Sequence, residues 1–567
     1  MRKNLSLPRE LLRRRSGFGR LARCIVPKGV AVLTLLAALW GCSDPSSSPL
    51  REAPKNSVPE GAPKLVLLLV ADQMEADHLA RFEPLFTGGF RRLLDQGVSF
   101  TQAYHGHAAT LTAPGHASLA TGVHPRRHGI VGNWWYDPRR GEEIYAVHDD
   151  EVESSPRQLM TSALGDWIKQ AWPQSKVFGA SGKDRAAVLL AGRLGDRAYW
   201  YESDTANWVS SDYYGGSVPE WVERFNNRRL MDAHFGASWE PLPVPAEILE
   251  EIGVTSLDLG PLEERFPHVF GSFGLAPSEG FYGDLRYSPW QDRYLGQFAE
   301  ELIVAEELGT DAYPDLLALS FSSLDRIGHE YGPDSREALD VLLRLDQDLE
   351  RLFNFVDRWV GLEQTWVLLS SDHGAGPVPE LQAARGLPGR RATQDDVLCF
   401  QRVGERLAET LGEESWFLPG RFINPEALKR SGVAREVVEK EAAQLLEECS
   451  GVERVWTRGE IEGGVDPSDP YSEEVANHYY PDRSPDFIIR FEEGFLWVRD
   501  VASTHGSPYA YDAHVPMLVL APGVKPARVD RRVLTVDAAP TLAAALGIEL
   551  PEHLDGSVLV ETLGAVP

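Results

Sequence analysis

The chain has 567 residues, 43% apolar and 25% charged, an ordinary globular composition long enough for two or three cores or one large domain with insertions. Its formal net charge is −28. A surface that acidic repels polyanions and argues against nucleic acid and anionic lipid as partners, so a small bound anion would need cations fixed around it.

The first 41 residues invert the balance, with nine Lys/Arg and one Glu. They lead into "GVAVLTLLAALWG", an apolar run of about 13 residues, shorter than the ~20 that span a bilayer and suited to the core of an export signal. Leu-Trp-Gly-Cys and a Pro/Ser-rich stretch follow. Residues 1–42 resemble a bacterial lipoprotein signal with Cys42 as the lipidated residue, and 43–63 read as a tether. The resemblance implies an exported cell-envelope protein that touches membrane only through its lipid. With Ser43 rather than Asp after the cysteine, it implies outer-membrane attachment. An uncut signal anchor is the alternative. Beyond the signal only Cys399 and Cys449 remain; an oxidising compartment permits one disulfide, which sequence alone does not establish. No CxxC spacing occurs, so a metal would have to be held by His and carboxylates.

Next along the chain come apolar runs that end in polar residues: "KLVLLLVADQM" (64–74), "SKVFGASGKDRAAVLLAG" (175–192), "LLALSFSSLDRIGH" (316–329), "TWVLLSSDHGAG" (365–376) and "VPMLVLAPGV" (515–524). Near-continuous Val/Leu/Ile runs fit strands buried on both faces, and amphipathic helical patterns alternate with them. The expected fold is α/β, a mostly parallel central sheet with helices on both faces, whose ligands sit beyond the carboxyl ends of the strands. Residues 64–560 form the expected catalytic domain. Stretches at about 200–300, rich in Trp, Tyr, Pro and Gly, and at about 380–485, a small helix-and-strand pattern, read as insertions.

"TLTAPGHASLATG" (110–122) places Thr112 before a Pro-Gly that opens a helix. Thr112 serves there either as an N-cap or as a nucleophile held where a helix N-terminus stabilises an anion. Asp72, Asp325, Asp372, His329, His373 and His505 each have a structural reading: a helix cap for Asp72, an i,i+4 pair for Asp325 and His329, a turn for Asp372-His373, a loop for His505. Together they put three carboxylates and three imidazoles at one inferred sheet edge. That set is too large for one tetrahedral zinc with an open position, and it suits two metals with three ligands each. A nearby metal would lower the pKa of the Thr112 hydroxyl.

Seven stretches carry a resemblance to a known family: "ADQM", "TLTAPGHASLATGVHPRRHGIVGNWWYD", "SGKDRAAV", "SSLDRIGHEYGPDS", "SSDHGAG", "STHGSPYAYDAHVPMLVLAPG" and "TVDAAPTLAAALGIELPEHLDG". The chain resembles the alkaline phosphatase superfamily, most closely its phosphate-irrepressible bacterial enzymes with a threonine nucleophile. The resemblance implies two Zn2+ ions, one held by Asp72, Asp372 and His373 beside Thr112, the other by Asp325, His329 and His505, with His514 competing for the last place. It implies contacts from Asn133, Lys183 and Arg185 to the transferred phosphate. A monoester dianion has an extra charged oxygen for Lys183 and Arg185 to neutralise, where a diester carries an organic group. On a strand end, residues two apart would put both side chains on one face. The implied reaction is hydrolysis of small phosphate monoesters through a phosphothreonine intermediate. Trp134 and Trp135 read as packing. His105, His107, His116, His124 and His128 read as structural or as supports for the ligands. The alternatives are a phosphodiesterase or nucleotide pyrophosphatase on the same site and, from another class, a catalytically silent metal-stabilised lipoprotein. A sulfatase is less well matched, since no Cys/Ser-x-Pro-x-Arg site stands at the nucleophile position.

Overall fold

The computed structural model describes residues 57–254, 266–271 and 274–564, so the signal-like segment 1–42 and tether residues 43–56 lie outside the described residues. Nine strands form one sheet: β1 (Leu65–Ala71), β2 (Val98–Tyr104), β3 (Val177–Ser181), β4 (Arg197–Tyr201), β5 (Trp208–Val209), β6 (Asp315–Phe321), β7 (Thr365–Ser370), β8 (His514–Leu520) and β9 (Ala527–Leu534). Their order across the sheet is β9-β2-β8-β7-β1-β6-β3-β4-β5. Pairing is parallel except along β8, which runs against β7 and β2, and at β5, which runs against β4.

The apolar runs are continuous because both faces are covered. Along β1, Leu65, Leu67 and Leu69 enter the core on one face, while Val66, Leu68 and Val70 enter the core on the other. The same alternation divides β6 and β7, as the two-residue period of a strand requires. Fully burying each such side chain is worth roughly 1.5–3 kcal/mol.

Parallel strands leave their carboxyl ends on one sheet edge, where the polar termini of β1, β3, β6 and β7 gather. The run 515–524 departs from the expectation set for it. Since β8 is antiparallel, its polar tail points to the far edge, and the loop before it, with His505, reaches the shared edge.

The aromatic stretch after β4 packs on the first of the two cores. Trp208 stacks on Phe298 with centroids 4.4 Å apart, and Phe298 belongs to α1 (Trp290–Ala305). Between β7 and β8 a second body has its own core, including Val403, Leu407, Trp416, Val438 and Phe487. There α2 (Gln394–Leu411) and α3 (Arg435–Glu447) pack with an antiparallel pair, Val452–Thr457 against Phe487–Phe491. Cys399 and Cys449, 50 residues apart, form a disulfide in this body. Among the described residues no helix is long and apolar enough to cross a membrane.

Candidate active site and metal centre

Thr112 is the first residue of the helix Thr112–Thr121. The position before it is held by Leu111 in extended backbone, with no side-chain cap. The capping role is therefore not the one Thr112 plays, and its hydroxyl faces other side chains at the buried N-terminus of the helix. Asn133 supplies part of what a cap would: its Oδ1 accepts from Ala113 N at 2.8 Å. With Oδ1 used in this way, the amide's two N–H bonds are left to donate elsewhere. The Pro-Gly that follows Thr112 also has a steric reason. A Cβ on Gly115 would fall 2.1 Å from the carbonyl oxygen of Asp372, so only glycine lets this helix approach the end of β7.

Lys183 and Arg185 do not lie on a strand. β3 ends at Ser181, Lys183 occupies the extended position before the helix Asp184–Ala191, and Arg185 is in that helix's first turn. Their spacing of two is thus not what brings them together. The turn between strand and helix does so, and Lys183 Nζ and Arg185 Nη2 each lie 3.4 Å from Thr112 Oγ1. Lys183 Nζ also bridges Asp72 Oδ2 and Asp325 Oδ2, at 2.6 Å from each.

The six acid and imidazole side chains converge. Asp72, Asp372 and His373 offer ligand atoms that all lie within 4.8 Å of one another, as do Asp325, His373 and His505. His329 Nε2 is 3.3 Å and His505 Nε2 3.6 Å from Asp325 Oδ1. Asp325 and His329 share a face of the helix Ser323–Tyr331, four residues apart. His373 Nε2 lies 3.5 Å from Thr112 Oγ1. His514 stands elsewhere: its ring stacks on Tyr104 and its Nε2 is bonded to Thr101 O. Nor does Asp72 cap a helix. Its backbone N–H donates to Phe321 O, and the next helix, Ala76–Phe82, starts without a side-chain cap.

Several features of this cluster fit a divalent cation. His329, His373 and His505 each place Nδ1 against a backbone carbonyl, of Ser503, Gly374 and Thr110 respectively, at 2.8–2.9 Å. A proton on Nδ1 leaves Nε2 as the lone pair facing the carboxylates, the arrangement a metal-ligating histidine takes. Among the described residues Asp72 Oδ1 is buried without a hydrogen-bond partner, and buried charges require pairing or a metal.

The titration behaviour agrees. Burial, followed by the Asp372 charge, pushes the Asp72 carboxyl well above the usual range, and Lys183 only partly opposes them. Burial also works against charge at Asp325 and Asp372, yet both carboxyls are held below the usual range, Asp325 chiefly by the Lys183 ammonium. Burial keeps the His373 and His505 rings neutral, with pKa values below that of free imidazole.

Two residues support the ligands: Gln73, which was not legible as such in the sequence, and His116, which was among the histidines read as structural or supporting. Gln73, in left-handed backbone at φ 70°, donates its N–H to Asp372 Oδ1 at 3.2 Å and its Nε2 to Asp325 Oδ1 at 3.1 Å. His116 bonds Thr112 O and Ser320 Oγ, with Nδ1 3.2 Å from Asp372 Oδ2. The "ADQM" and "APGH" stretches contain them, but only the fold shows which carboxylates they touch.

Known proteins resemble this chain over most of its length. The family described as type I phosphodiesterase / nucleotide pyrophosphatase matches residues 66–511, and the chain belongs to that family. It is 32% identical to the alkaline phosphatase PhoV of Synechococcus elongatus, over 88% of this chain and 93% of that protein. It is 31% identical to a protein of Myroides odoratus named a calcium-transporting ATPase, over 88% and 95%. To the alkaline phosphatase PafA of Elizabethkingia meningoseptica it is 31% identical, over 90% and 96%. The crystal structure of wild-type PafA aligns with a TM-score of 0.81, covering 90% of this chain and all of that one at 30% identity. The resemblance read from the motifs and the α/β fold are both borne out.

Proposed function

We propose that this chain hydrolyses phosphate monoesters, with Thr112 as nucleophile and two divalent cations, zinc by ligand type, held by Asp72, Asp372 and His373 and by Asp325, His329 and His505. The cations supply activation of the nucleophile and stabilisation of the departing oxygen. Thr112 Oγ1, its proton passed to solvent, attacks phosphorus in line, the new P–O bond forming as the bond to the leaving oxygen breaks, and the leaving group takes a proton from water. Water then attacks the phosphothreonine, orthophosphate departs, and the Thr112 hydroxyl recovers its proton. Asn133, Lys183 and Arg185 donate to the non-bridging oxygens, where phosphoryl transfer obtains most of its rate.

The observation that supports a monoester over the diester of the family's description is the pair of cations at the nucleophile. Lys183 Nζ and Arg185 Nη2 are both 3.4 Å from Thr112 Oγ1. A dianionic phosphoryl group uses both charges, whereas a diester offers one fewer charged oxygen. A solved PafA variant substituted at a threonine, an asparagine, a lysine and an arginine has a TM-score of 0.80 to this chain. Those are the residue types found here at 112, 133, 183 and 185.

Turnover of an aryl phosphate and a bis-aryl phosphate by the zinc-loaded protein tests the reading. Lys183→Ala and Arg185→Ala should each lower monoester kcat/KM by about 10- to 100-fold, the worth of a charge-assisted hydrogen bond, and diester kcat/KM far less. Equal losses on both substrates would move the assignment to the diesterase branch.

A further inference from the structure

Next to the reaction centre is a cavity of about 610 Å³, lined, apart from His505, by residues that the phosphoryl-transfer chemistry does not use. One end meets the centre: Leu111, which precedes the nucleophile, and His505 both line it. One wall is the hairpin that follows Asn133, with Trp134, Trp135 and Tyr136; the facing wall is the body between β7 and β8, with Phe422, Trp456 and Trp497. The two walls meet where Gly420 backs against Tyr136, a Cβ there falling 2.8 Å from the tyrosine Cβ.

We propose that this cavity holds the leaving group of the monoester, that this group is an aromatic alcohol, and that Arg421 receives an anionic substituent on it. The inference rests on the monoesterase reading above. Three observations carry it. First, the cavity opens at His505, on the Asp325 side of the cluster, so a departing oxygen on that side leads its substituent into the cavity. Second, Trp134 is 58% exposed although its ring lies tilted against Tyr145 with centroids 4.5 Å apart, and Trp497, half-buried, stacks on Phe491. Open indole faces at a cavity mouth are surface left for a planar partner.

Third, the arginines on the wall differ in how they are used. Arg490 is paired with Asp469 and Glu453, and Arg483 is bonded to the carbonyls of Gly129 and Gln158. Arg421 is exposed and has no side-chain partner among the described residues. In a chain with 84 acidic and 56 basic residues, a guanidinium free of every carboxylate and facing a cavity is available to an anion from outside.

The test uses the zinc-loaded full chain and two readouts. In the first, kcat/KM is measured for methyl phosphate, 2-naphthyl phosphate and a naphthyl phosphate carrying a ring carboxylate. Trp134→Ala and Trp497→Ala should each cost the two naphthyl esters about fivefold to tenfold, the worth of one aromatic contact, and leave methyl phosphate within about twofold. Arg421→Ala should cost only the carboxylated ester. Equal effects on all three esters, or none on the naphthyl esters, would overturn the proposal. In the second, binding of carboxylated naphthol is followed by quenching of tryptophan fluorescence, which needs no turnover. Binding by the wild type that weakens in Trp497→Ala and Arg421→Ala supports the cavity even where methyl phosphate is not hydrolysed. No binding by the wild type overturns it whatever the activity.

Discussion

Gln73 shows how little the identity of a ligand says about how the ligand is held. One side chain and one backbone N–H, both from a residue in left-handed backbone, reach Asp325 and Asp372. Each carboxylate belongs to a different ligand group, so Gln73 fixes the two groups relative to each other. Gly328 makes room for it, since a Cβ there would fall 1.7 Å from Gln73 Oε1. Supporting residues of this kind typically change metal affinity by 10- to 100-fold. Gln73→Ala should therefore lower zinc affinity by about tenfold, at the low end of that range, with the unfolding midpoint of the metal-free protein nearly unchanged. Zinc titration against a competing chelator measures the first, and thermal unfolding the second. Unaltered affinity would reduce Gln73 to a packing residue.

At the scale of elements, the body between β7 and β8 depends on its own core and on one covalent tie. The disulfide joins Cys399 in α2 to Cys449 just past α3 and closes a loop with a sequence separation of 50 residues. In the chain-entropy account a loop of that length is worth about 4 kcal/mol. The double variant Cys399→Ser/Cys449→Ser should then make this body open to proteases under conditions where the intact protein resists them. The proposed ligands belong to the sheet edge, so turnover of methyl phosphate should survive the change. Limited proteolysis followed by that assay reads both outcomes. Loss of small-substrate turnover without cleavage would mean that the body also organises the centre.

Over the whole molecule, burial of histidine sets an acid limit. His107, His124 and His478 are enclosed together. Burial pulls His124 and His478 down to about 4 and holds His107 well below the ordinary imidazole value, and among the described residues neither ring nitrogen of His107 has a hydrogen-bond partner. Their folded pKa values lie below the value of about 6.5 expected in the unfolded chain. Between those values the unfolded state binds protons that the folded state refuses, so stability rises with pH and falls on acidification. The thermal midpoint should drop as pH is lowered from about 6.5 to 4, and His107→Leu should make that drop shallower. Thermal unfolding across this range, at constant zinc, measures both. A midpoint that stays flat would show that these rings are not refused their protons.

Much of this was legible in residue order, for physical reasons. Unbroken apolar runs announce strands covered on both faces, and β1, β6 and β7 lie where "KLVLLLVADQM", "LLALSFSSLDRIGH" and "TWVLLSSDHGAG" put them. The i,i+4 spacing of Asp325 and His329 already fixes one helix face. Tertiary structure decided the rest, because it depends on contacts between residues hundreds of positions apart. It turned β8 against its neighbours, so that His505 rather than the tail of that run reaches the edge. It freed Thr112 from capping by giving Ala113 N to Asn133. It brought Lys183 and Arg185 to one oxygen through a strand-to-helix turn instead of a strand face. Local periodicity records which side of an element is buried; which buried side meets which is settled only when the elements pack.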